Sequence, residues 1–235
     1  MFQSLRTAWK LPDLRKKLLM TLLLLGIYRL GSHIPAPGID VSLINLGEVG
    51  GLLNLVDMFA GGNLQNMTIL ALNVGPYITA SIIFQLLVMV IPALERLQKD
   101  GGEEGRKKLS QYQRYATIAL AAFQAWALVA GFRSAIISNS YIPLIILVFT
   151  AGSMFSMWLG EKISEVGIGN GISLLIFVGI VSRLIPSIRQ TILAAGEGGV
   201  NPILLVISFA ISLLIIAGIV VGEHGHRVAD LLQVM

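Results

Sequence analysis

The sequence predicts an all-α, multi-pass helical membrane protein, with about six transmembrane helices and one short re-entrant helix. Three observations lead there. Apolar residues make up 55% of the 235 residues, and the mean hydropathy is +0.79, above what soluble domains carry. Apolar runs of roughly 20 residues recur, the length that crosses a hydrocarbon core. The basic residues cluster between those runs, as membrane orientation requires, and the net charge of +4 needs no nucleic-acid partner to explain it. The absence of cysteine excludes disulfides and thiolate metal sites.

The first predicted span covers 17–34, behind a basic tail (1–17) with Arg6, Lys10, Arg15, Lys16 and Lys17. This resembles the start of a signal peptide, but Arg29 follows the apolar run and no small-x-small cleavage site stands out, so the helix is expected to stay. Residues 35–51 carry Pro35, Pro37, Gly38, Gly47, Gly50 and Gly51, the composition of irregular chain. A short amphipathic piece, 52–59, is too short to cross a bilayer and runs into Gly61-Gly62.

The second span is predicted at 66–91, the third at 112–132, the fourth at 142–159, the fifth at 171–195 and the sixth at 202–221. A loop at 93–114 carries Arg96, Lys99, Arg106, Lys107, Lys108 and Arg114, and a tail follows at 222–235. With Lys and Arg concentrated in the first tail and in this loop, the positive-inside rule sets both termini in the cytoplasm. The glycines of EKISEVGIGNG (161–171) predict a tight turn before the fifth span.

Two spans are unusually polar. Asn73, Tyr77, Ser81 and Gln85 recur every four residues, which puts them on one slowly drifting helix face, and Pro76 is expected to loosen the helix. Such a face is either interhelical glue or the lining of a polar pathway. The fifth span carries Ser182, Arg183, Pro186 and Arg189 in its outer half, which bars it from facing lipid on all sides. Ile172 and Ile176 share a face there. Opposed branched aliphatics can form a dewetting neck, although an isoleucine pair alone is more often plain packing.

Other features are weak. GIGNG lacks the spacing, preceding strand and lysine of a phosphate loop. His224 and His226 diverge on a helix and gather no further ligands, so no metal or cofactor is expected. His33 and these two complete the histidines, and none sits in a catalytic arrangement.

Several segments, in order, resemble the SecY family of protein-conducting channels: LRKKLL (14–19), YRLGSHIPAPGID (28–40), DMFAGGNL (57–64), PYITASIIFQLL (76–87), GRKKLSQYQRY (105–115) and MWLGEKISEVGIGNGISLLIFVGIV (157–181). The resemblance implies a plug over 52–66, with Leu55, Met58, Phe59, Gly61, Gly62 and Leu64. It implies a hydrophobic pore ring that includes Val74, Ile78, Ile172 and Ile176, and a lateral gate that includes Ser81, Ile82 and Gln85. It further implies a translocating polypeptide with a signal sequence, small SecE-like and SecG-like subunits, SecA or a ribosome as partner, and the bacterial inner membrane as location. The family has ten spans in two inverted halves. This chain carries residues of the first six, so it is expected to act with a complementary half or a second copy. Asn73 stands where the family tends to have a small residue, and Val74 where isoleucine is usual. A secondary transporter, which would need a free intramembrane carboxylate near the pathway, and a non-conducting scaffold are the alternatives.

Overall fold

The computed structural model describes residues 12–44, 56–196 and, beyond these, 207, 210–212, 214–219 and 222. Leu55, residues 1–11, His224 and His226 lie outside the described residues. The chain divides into two compact units, Met1–Arg183 and Leu184–Met235.

The first unit is built from helices. Helix α1 spans Pro12–Gly31, α2 Gly75–Val90, α3 Pro92–Lys99, α4 Gly102–Gly131 and α5 Ile142–Val166. Helix α6, Gly171–Gly196, begins in this unit and continues into the second. Among its described residues the second unit also holds an apolar helix, Ala210–Ile219. Helix α4 packs on α5 and α2, α3 on α4, and α1 on α5.

Two helices are long and apolar enough to cross a membrane, Asn139–Val166 and Gly171–Leu193, and α2 with α3 makes a third if that bent pair is one span. Among the described residues this is fewer than the six spans expected from the sequence. Helix α1 carries Asp13, Arg15, Lys16, Lys17 and Arg29 within its length, which leaves only an eleven-residue apolar run, 18–28.

The second span differs most from expectation. The helix begins at Gly75, not Asn66, and residues 60–74 form a chain of turns. Pro76 therefore starts the helix, where its missing N–H costs nothing and its fixed φ is preorganised, and does not kink it. Asn73 lies off the helix in a left-handed conformation (φ 49°), one that asparagine tolerates better than most residues. The irregular stretch satisfies its backbone against the chain that follows α1: Ala36 N–H donates to Met67 O (2.8 Å) and Ile69 N–H to Ile34 O (2.9 Å). Buried non-helical backbone is tolerated on these terms.

The stretch 93–114 is helix and not a loop. Ile91 is extended before Pro92, as a pre-proline residue prefers. The chain bends by 101° there into α3, and α4 starts ten residues before the predicted third span. Helix α5 likewise runs to Val166, seven residues past expectation, so the turn before α6 is confined to 167–170.

Two apolar clusters fill the first unit. One joins Ala36, Leu64, Met67 and Ala71 to Ala125, Val129, Ile145 and Phe149. The other joins Leu24, Tyr28, Leu70 and Val74 to Leu159, Ile163 and Leu175. Small residues bring backbones together around them. Gly152 of α5 abuts the Ile69 carbonyl, and Gly160 of α5 abuts Ile172 and Gly171 of α6. Thr21 ties α1 to the α5–α6 turn: its hydroxyl accepts from Ile168 N–H (3.1 Å) and donates to Lys17 O (2.9 Å).

An apolar cavity beneath a glycine turn

The chain descends from a helical turn at 56–59 into Gly61 and Gly62, both at positive φ (72° and 87°). These glycines let the segment lie directly on α6. A β-carbon on Gly61 would come 2.7 Å from Gly179 Cα, and one on Gly62 would come 2.5 Å from Arg183 Nε. Only glycine fits such an approach at such a φ.

The turn is also held by polar bonds. The Arg183 guanidinium pairs with Asp57 Oδ2, and its Nη2 donates to Gln65 Oε1 (2.8 Å). The other Asp57 oxygen, Oδ1, accepts from Gln65 N–H (2.8 Å). On the opposite side, Asn63 Nδ2 reaches the Tyr28 hydroxyl of α1 at 3.5 Å, with both residues buried.

Beneath the turn lies a cavity of about 590 Å³. Its walls include Phe59, Ala60 and Leu64 from the turn, Val74 and Ile78 at the start of α2, Ile176 on α6, and Leu128 and Phe132 at the end of α4. Val74, Ile78, Ile172 and Ile176 all belong to or pack on the second apolar cluster. Ile172 opens instead onto a polar basin of about 650 Å³, with Tyr77, Trp158, Glu161, Lys162 and Asn170. One face of α6 thus runs from a wet basin at Ile172 to an apolar cavity at Ile176. In the basin Arg114 grips Glu161 with two bonds, Nη2 to Oε2 (2.9 Å) and Nε to Oε1 (3.1 Å).

The polar stripe expected on one face is divided by the structure. Asn73, off the helix, lines the cavity, and its Oδ1 has no hydrogen-bond partner among the described residues. Tyr77 lines the basin. Ser81 and Gln85 bond to each other (Nε2 to Oγ, 3.4 Å), and Gln85 and Ile82 are exposed. Met58 and Phe59 are exposed, Phe59 by 54%, while Leu64 is buried. The Asp57–Arg183 pair was present in the sequence only as two separate oddities, an acid before the glycine pair and a base in an apolar helix. Thr21, Asn63 and Tyr28 carried no signal of their joining roles. Among the described residues no group of three His, Cys, Asp or Glu could hold a metal ion.

An all-α unit with membrane-length helices, buried irregular chain and an apolar cavity between them defines a helical membrane protein. The chain belongs to the SecY family. The SecY family model matches residues 68–231. The protein translocase subunit SecY of Streptomyces scabiei is 42% identical over 246 residues, covering 97% of this chain and 56% of that protein. That of Thermus thermophilus is 39% identical over 240 residues, covering 97% and 55%. The chain therefore spans about half the length of the curated relatives it matches. Among solved structures, Sec61 in the canine ribosome-channel complex from the endoplasmic reticulum aligns with a TM-score of 0.54 at 24% identity, over 85% of this chain and 41% of that one. A structure described as that of a protein-conducting channel aligns equally well. At that identity the likeness speaks for the fold.

Proposed function

We propose that this chain forms half of a Sec-type channel in the bacterial inner membrane, through which unfolded polypeptides with signal sequences are translocated or inserted. The observation that carries this reading is the seating of Phe59 and Leu64 over a cavity walled by Val74, Ile78 and Ile176. In this reading 52–66 is the plug, and Val74, Ile78, Ile172 and Ile176 supply part of the pore ring. A narrow apolar neck between wet spaces sheds water and resists ions, yet yields to a passing chain. The exposed Ile82 and Gln85, with the half-buried Ser81, supply one edge of a lateral gate. The rest of the ring and gate lies outside these residues, in the other half of the channel. Small SecE-like and SecG-like subunits, and SecA or a ribosome, complete the working assembly. A coupled transporter is disfavoured because Asp57, the acid it would need free, is bound to Arg183.

The chain has no cysteine, so Ile78→Cys is a unique probe. In a reconstituted channel holding this chain, it is expected to crosslink to a cysteine in a translocating polypeptide. No crosslink in a demonstrably active assembly overturns the reading. Deleting residues 55–65 is expected to raise ion leak, and unchanged conductance would show that the segment is not a seal.

A further inference from the structure

The geometry points to Arg183 as the positioning residue that holds the re-entrant turn closed, acting through Asp57. This rests on the reading of the turn as a seal. Asp57 is 3% exposed at its side chain, and a carboxylate so placed is costly unless paired and hydrogen-bonded. Both of its oxygens are engaged, one by Arg183 and one by Gln65 N–H. Arg183 in turn bridges to Gln65 Oε1, so one guanidinium clasps the turn at two points eight residues apart in sequence. Gly62 leaves the space that the guanidinium occupies. No other part of the turn's seat on α6 is charged among the described contacts.

Arg183 remains 32% exposed at its side chain, so the clasp is open on one side. That asymmetry makes it reversible. While the turn sits on the apolar cavity, the low dielectric strengthens the attraction between the two charges. Once the turn lifts and water enters, each ion is hydrated separately and little holds them together. The pair thus favours the fully seated state over any partly lifted one.

The test uses Leu64→Cys, a buried position, as a reporter in the full chain in membranes, with Ala60→Cys as a second reporter should the first perturb folding. A membrane-impermeant maleimide is expected to label the parent slowly. Arg183→Gln, which strands a buried carboxylate, is expected to raise the rate by about tenfold or more. Arg183→Lys, which keeps the charge, is expected to return most of the protection. Asp57→Asn with Arg183→Gln is expected to label more slowly than Arg183→Gln alone, because the stranded charge is gone. Labelling of Arg183→Gln at the parental rate, with helical circular dichroism intact, overturns the proposal. So does a lysine variant no better than glutamine. If deletion of 55–65 leaves conductance unchanged, the seal reading falls. If that deletion causes leak while Arg183→Gln changes neither labelling nor leak, only the clasp falls.

Discussion

Gly61 and Gly179 meet backbone to backbone: a β-carbon built on Gly61 would lie 2.7 Å from Gly179 Cα, whereas one built on Gly179 would lie 3.4 Å from Gly61 Cα. The contact is therefore unequal. Gly61→Ala adds a clash with backbone to the strain of an alanine at φ 72°, together about 1–3 kcal/mol. Gly179→Ala meets ordinary van der Waals contact on a helix and is expected to be close to neutral. Denaturant unfolding in detergent, followed by circular dichroism, separates the two. Equal effects would mean that the turn does not sit on α6 as described.

Gly152 and Gly26 make a second contrast. A β-carbon on Gly152 runs into the Ile69 carbonyl, while one on Gly26 meets nothing within 4 Å. Gly152→Ala is expected to cost about 1–3 kcal/mol by forcing α5 away from the irregular stretch. Gly26→Ala is expected to be neutral or stabilising by up to about 1 kcal/mol, since alanine is the better helix former. The same unfolding measurement reads both.

Much of the helical architecture was legible from periodicity and length, and the reasons for the misses are specific. Helix α6 begins at Gly171 as predicted, because an apolar run follows a glycine-rich turn. The run 66–91 read as one helix because hydropathy does not separate helix from buried irregular chain. The cue was Pro76, which favours a helix's first turn, and the partners that make 60–74 tolerable come from Ile34 and Ala36, some thirty residues earlier. The charges of 93–114 suggested a loop. They instead coat α3 and the first turns of α4, aided by pairs one turn apart, Lys99–Glu95 on α3 and Lys108–Glu104 on α4. Val74 and Ile78 were placed beside Ile172 and Ile176 by family resemblance, while spacing alone left ordinary packing as the commoner reading. Thr21, Asn63 and Tyr28 act across long sequence separations and left no local pattern.

Thr21→Val tests one such long-range tie. Valine keeps the shape but cannot accept the Ile168 N–H. A part-buried donor left without a partner is expected to cost about 1–3 kcal/mol. Hydrogen exchange at the Ile168 amide should quicken while that of the α5 interior is unchanged. Unaltered protection at Ile168 would show that the bond carries no weight.

Asp40 gives a pH-dependent expectation outside the membrane segments. Its carboxylate accepts from the Ser42 hydroxyl (2.6 Å) and the Ser42 N–H (3.1 Å), capping the 3-10 turn Val41–Leu43, and these bonds hold its pKa below the ordinary carboxylate value. A depressed folded pKa means that the cap's contribution is fully present above the ordinary value and is lost as pH falls through the lowered one. The Ser42 amide resonance should therefore titrate at a lower pH than a model aspartate, and Asp40→Ala should abolish the transition. A midpoint at or above the ordinary carboxylate value would refute the assignment.

If the turn at 56–66 lifts as proposed above, the bonds from Ala36 to Met67 and from Ile69 to Ile34 limit how far it can swing. Lifting anything beyond Asn63 would strip those amides and carbonyls of their partners inside a non-aqueous layer. The mobile lever must then be short, with its fulcrum at the paired glycines, and most of the chain leading into α2 is frame and not door.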